Sequence, residues 1–133
     1  MKTILAFFVA VAVIGVGSSA LAKTDFSGKW VVSGTLSSDS AEETISPTCT
    51  FKESDGALSG SCKGSSGLGS IDGAADGDSV VWTWKRIATN DKVLDATITF
   101  RGSLGSDGVI RGQWKDSNID GEVGTFVAQR LKS

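Results

Sequence analysis

Residues 49–62 read CTFKESDGALSGSC, with a cysteine at each end and Asp55-Gly56 in the middle. Asp-Gly is a strong signal for a two-residue hairpin, because a type I′ turn needs positive φ at both central residues. Centring a hairpin there pairs Ser54 with Ala57 and sets Cys49 opposite Cys62. The pair next to the turn is hydrogen-bonded and the ladder alternates, so the cysteines fall on a non-hydrogen-bonded site. There the chains approach closely enough for a cross-strand disulfide. The same register puts Phe51 and Leu58 on the cysteine face, with Thr50, Lys52, Ser59 and Ser61 on the other. Turn chemistry and side-chain pattern therefore agree on an antiparallel β structure.

Period-two alternation continues outward from this hairpin. Val80, Trp82 and Trp84 share one face, with Val81, Thr83 and Lys85 on the other; Leu94, Ala96, Ile98 and Phe100 alternate with Asp95, Thr97, Thr99 and Arg101. Eight strands are expected, near 28–36, 46–53, 57–64, 68–74, 79–87, 93–103, 109–115 and 123–131. Asp76-Gly77 repeats the two-residue device and would pair Ile71 with Trp82 and Gly73 with Val80. Ser106-Asp107-Gly108 works as a three-residue loop with Gly108 left-handed, which sets Phe100 opposite Trp114 and Leu104 opposite Ile110; a two-residue loop would mix the faces. The three tight turns fall at one end of a meander, and the longer connections 37–45, 65–67, 88–92 and 116–122 at the other. The fold class is all-β: an eight-stranded antiparallel up-and-down barrel with one cross-strand disulfide, a sandwich of the same strands being the alternative.

Composition bounds the compartment and the chemistry. Residues 1–22, MKTILAFFVAVAVIGVGSSALA, carry one positive charge, a short apolar run and an A-x-A end, the pattern of a cleaved secretory signal peptide. The expected mature chain, 23–133, is a single domain that is secreted or periplasmic, with no membrane insertion after processing. It holds 12 basic and 15 acidic residues, a mild imbalance that argues against a nucleic-acid partner. Two cysteines in an exported chain read as one structural disulfide. Histidine is absent, which removes the commonest general base and zinc ligand, and no serine has a candidate base; the chain reads as a non-enzyme with no cofactor.

Phe26-Ser27-Gly28-Lys29-Trp30 adds a resemblance. A G-x-W opening the first strand, with an arginine near the end of the last, resembles the calycin barrels, the lipocalins and avidins among them. The resemblance implies that Gly28, Trp30 and Arg130 close one end of the barrel, with a cation–π contact between Arg130 and Trp30. Val81 to Lys85 and Gln113-Trp114 are similar to the tryptophan-bearing strands of avidins. The chain lacks the tyrosine and the late-loop tryptophan of avidin pockets, so biotin is not implied; it also lacks the long first loop and C-terminal helix of lipocalins. Small secreted barrels that inhibit bacterial metalloproteases share the G-x-W and a disulfide, but here only Lys23 to Phe26 would precede the barrel.

The inward residues divide by level. Trp30, Phe51, Leu58, Val80, Phe100 and Ile110 should fill the tight-turn end. Toward the loops, Trp84 and Trp114 and the disulfide face Gly34, Gly69, Ala96 and Gly124, which predicts a concave apolar mouth, the usual ligand site of a barrel, or else two indoles packed on each other and on the disulfide with no cavity left. Trp82, Trp84, Trp114 and Arg86 are the candidate ligand-binding residues, Arg86 standing at the rim as an anion lure or a solvated charge. A small apolar or aromatic ligand is the expected partner; a protein partner, bound through 37–45 and 116–122, is the alternative. Glu42-Glu43 reads as solubilising surface. Asp72, Asp76 and Asp78, and Asp116, Asp120 and Glu122, lack the ordered spacing of a calcium loop, so no metal site is expected.

Overall fold

A computed structural model describes residues 24–37, 42–65, 67–87, 96–118 and 123–131. The expected signal peptide lies outside the described residues, as do Asp120 and Glu122. The strands are β1 (Gly28–Ser37), β2 (Glu42–Ile45), β3 (Thr48–Ser54), β4 (Ala57–Gly64), β5 (Gly67–Asp76), β6 (Ser79–Arg86), β7 (Ala96–Leu104), β8 (Val109–Asp116) and β9 (Gly124–Arg130). Each pairs antiparallel with its neighbour from β3 to β9, and β9 returns to pair with β1, so the sheet closes on itself. Segments β2 and β3 are one barrel strand in two pieces. Gly34 faces Ile45 and Trp30 faces Cys49 in a single unbroken register along β1, and between them Val32 N donates to Pro47 O at 2.9 Å. Pro47 has no N–H to return, which interrupts the ladder for one step. The molecule is thus a closed, eight-stranded, antiparallel up-and-down barrel.

The hairpin that decides the fold forms as the sequence dictates. Asp55 and Gly56 have φ of 51° and 85°, and Cys49 pairs with Cys62. The two form the disulfide, with Cα atoms 4.0 Å apart, the close approach of a non-hydrogen-bonded pair. The three-residue loop 106–108 also stands, with Phe100 opposite Trp114 and Leu104 opposite Ile110.

Three expectations are corrected. The β5–β6 turn is Gly77-Asp78, not Asp76-Gly77: Asp76 pairs with Ser79, so Trp84 rather than Trp82 faces Ile71, and Trp82 faces Gly73. Gly77 has φ of 61° and Asp78 lacks positive φ, which suits a type II′ turn with glycine first. Residues 42–45, expected in a loop, are strand β2, bound to β1 from Gly34↔Ile45 to Ser37↔Glu42. Gly64 pairs with Gly67, so the connection after β4 is two residues, shorter than the expected 65–67.

The interior is one aromatic stack. Trp82 lies at mid-barrel, stacked on Phe100 at 4.7 Å between ring centroids, with Phe51 and Phe126 meeting it edge-on at 5.0 and 5.4 Å. Such offset and edge-on geometries suit aromatic quadrupoles. At the tight-turn end Arg130 lies 4.4 Å over the Trp30 ring and donates to Ser27 O and Asp25 O, holding the segment before β1 across the opening. Phe26 closes that opening: it is wholly buried, its N–H donates to Glu53, and its carbonyl accepts from Trp30 Nε1. Nothing in the strand alternation marks Phe26 for this position, since it precedes the first strand.

Candidate functional site at the loop end

The expected mouth is a packed layer. Trp84 and Trp114 have relative exposures of 0 and 1%, and the glycines across from them are seats for their rings. A Cβ on Gly34 or Gly124 would stand 2.7 or 2.6 Å from Trp114 Nε1, while one on Gly69 would run into the Lys85 backbone before it reached Trp84. Small residues there let the indoles lie against the sheet, so the space they leave is filled by the rings themselves. Trp114 Nε1 donates to Thr125 O at 3.0 Å, which fixes its ring across β1 and β9.

Above this layer three charged side chains meet. Each lies two positions beyond an inward-facing apolar residue: Glu43 before Ile45, Arg86 after Trp84, Asp116 after Trp114. Strand alternation therefore turns all three inward. Arg86 Nη1 donates to Glu43 Oε2 at 2.9 Å, and Nη2 lies 3.4 Å from Asp116 Oδ2. Arg86 reaches Glu43 over the short end of the β4–β5 hairpin, where its Cγ would lie 2.5 Å from a Cβ on Gly67. It reaches Asp116 past Ala96, its own small partner on β7. The triad so ties β2, β6 and β8 together across the loop end.

This placement corrects three expectations. Arg86 is 3% exposed and doubly paired, neither a rim charge nor free to draw an anion. Asp116 is as buried as Arg86 and ends a strand rather than opening a loop. Glu43 is turned inward, its side chain 21% exposed, rather than dressing the surface.

Two carboxylates share one guanidinium, so one negative charge is in excess. Burial, then the hydrogen bond with Asp116, pushes Glu43 from 4.5 up to about 7, against the opposing pull of Arg86. Glu43 therefore gives up its proton near neutrality rather than in the ordinary carboxylate range. Asp116 is the fixed member: its Oδ1 accepts from Asn118 N at 2.9 Å.

A row of unpartnered donors runs down the inside of β6. Trp82 Nε1, Trp84 Nε1 and Arg86 Nε are buried without an acceptor among the described residues. They belong to successive inward positions, from the mid-barrel stack to the triad.

Elsewhere the candidates disperse. Asp72, Asp76 and Asp78 are exposed, Asp78 accepting from Thr24, and no three His, Cys, Asp or Glu side chains among the described residues are grouped to hold a metal. A cleft of about 290 Å³ opens at the rim, lined by Lys85, Arg86, Ile87, Ala96, Thr97 and Ser117. No family model matches the chain, and no curated protein is significantly similar to it.

Proposed function

We propose that the chain is an exported, non-enzymatic, calycin-like binding protein whose barrel takes a small apolar or aromatic ligand at the loop end, against Trp84, Trp114 and Arg86. The observation that carries this reading is the row of buried N–H donors without acceptors. Buried polar groups are nearly always satisfied, and a set left open along one strand suits a site completed by ordered water or by acceptor atoms carried on an otherwise apolar or aromatic ligand. The closed barrel, its G-x-W opening and the Arg130–Trp30 contact support calycin kinship. The disulfide fits a non-reducing compartment, and the signal-like residues 1–22 support export.

Because Arg86 is already engaged by two carboxyl groups, a neutral ligand suits the mouth better than an anion. Native mass spectrometry of protein purified gently from its host tests the reading. An adduct of small mass, lost on denaturation and lost in Trp84→Phe, is the expected result; Phe keeps most of the ring and removes the donor. A bare chain at every purification would overturn it.

A protein-binding module is the second reading, favoured by Leu68 and Ile87. These bridge across the β5–β6 rim with outward side chains 49% and 57% exposed. The same spectra would then show an adduct of protein mass that is lost in Leu68→Ser with Ile87→Ser and kept in Trp84→Phe.

A further inference from the structure

We propose that Glu43 is a proton-dependent latch over the loop end, closed when its carboxyl is protonated and released when it is not. The geometry names the moving part. Segment β2 is four residues long, pairs among the described residues with β1, and joins β3 through Pro47, which has no N–H to give to the ladder. It overhangs the end of the β4–β5 hairpin, whose last pairs are Thr48↔Lys63 on one side and Gly64↔Gly67 on the other. Across the mouth, the side chain of Glu43 ties this overhang to Arg86.

The charged groups facing Glu43 among the described residues are Arg86 from β6 and Asp116 from β8; on its paired strand, β1, it stands opposite the apolar Leu36. With Glu43 protonated, Arg86 faces a single carboxylate, that of Asp116. Loss of that proton sets two carboxylates against each other in a poorly solvated place. Arg86 is one guanidinium between two carboxylates and cannot offset both fully. Asp116 is buried and anchored by Asn118, so Glu43, the more exposed of the two at 21% and carried on a short segment, is the one to leave. Trp84 lies directly beneath Arg86 on β6, so release opens a path from solvent to its indole.

Acrylamide quenching of tryptophan fluorescence tests this, because the quencher is neutral and reads ring access. In the wild type, quenching should rise by roughly twofold between about pH 5 and about pH 9, centred near the Glu43 titration, with far-ultraviolet circular dichroism unchanged. Glu43→Gln keeps the hydrogen-bonding shape without the charge and should hold the low value throughout. Should that variant fold poorly, Asp116→Asn removes the same repulsion and should also flatten the profile. A flat wild-type profile, or variants that follow the wild type, overturns the latch. In the binding reading the latch also sets the pH at which the mouth admits a ligand, and that consequence rests on the binding reading. The quenching experiment contains no ligand, so its failure rejects the latch alone.

Discussion

Arg86 shows how one side chain can organise a site by what it leaves unbalanced. Burying a guanidinium is costly unless it is paired, and removing it strands its partners, since an uncompensated buried charge costs about 3–5 kcal/mol. Arg86→Met, of similar length but uncharged, should therefore lower unfolding free energy by about that amount in a denaturant titration at neutral pH. Adding Glu43→Gln and Asp116→Asn to the same chain should restore most of the loss, a non-additivity that marks the three as one unit. Glu43 makes a separate prediction. Its folded pKa, about 7, lies above the ordinary 4.5, so between these values the native state holds more of its proton than the unfolded chain does. Stability is then greatest below about 4.5, as far as this group decides it, and falls as pH rises through about 7. Allowing for its partial exposure, the fall is roughly 1–2 kcal/mol. Glu43→Gln should abolish that slope in unfolding curves taken across the range; an unchanged slope would assign it to other groups.

At the scale of the elements, the hairpins separate what alternation can read from what it cannot. Around Asp55-Gly56 and Ser106-Asp107-Gly108, turn chemistry and face pattern each allow one register, and the structure adopts it. At residues 76–78 the sequence Asp-Gly-Asp supports either a type I′ turn at Asp76-Gly77 or a type II′ turn at Gly77-Asp78. These differ by two residues in register, which leaves every side chain on its own face, so hydrophobic pattern is blind to the choice. Strand β2 was hidden differently, by a proline and by two glutamates that look like surface. Its inward parity through Ile45, Glu43 and the disulfide was nonetheless legible, as was that of Arg86 and Asp116. What sequence could not supply was closure: charges at three separate strand ends become a buried cluster only when the sheet curls on itself. The glycine seats carry a prediction at this scale. Gly34 has no positive φ, and the atom nearest a new methyl there is Trp114 Nε1, so Gly34→Ala tests space for the ring. The methyl would displace the Trp114 indole, costing about 1–3 kcal/mol as overpacking. A shifted near-ultraviolet dichroism spectrum should accompany the loss. Reducing the disulfide, or Cys49→Ala with Cys62→Ala, should cost roughly 3 kcal/mol for a loop of this size.

For the whole molecule, the two ends of the barrel differ in how they are shut, and that difference fixes where function can reside. At the tight-turn end covalent turns, the Phe26 plug and the Arg130–Trp30 contact combine, and β1 meets β9 in a register that sets Trp30 beside Arg130. The first and last strands of the barrel are joined there by backbone pairing and one cation, so Arg130, though exposed, is a clasp on closure. Its guanidinium holds Ser27 O at 2.7 Å and Asp25 O at 3.0 Å while its stem covers apolar surface. Arg130→Met keeps the stem and removes the two hydrogen bonds and the cation–π contact, a loss of roughly 1–3 kcal/mol. Because closure spans the whole sheet, the effect should reach beyond the site of substitution. Amide hydrogen exchange should quicken along β1 and β9 first, with a smaller and uniform change in β4 to β7, where pairing does not depend on closure. The loop-end triad ties different strands, β2, β6 and β8, so Arg130→Met should leave the pH profile of tryptophan quenching in place. A variant that lost both together would mean that the two ends act as one cooperative unit, and that the latch over Trp84 is coupled to the clasp beneath Trp30.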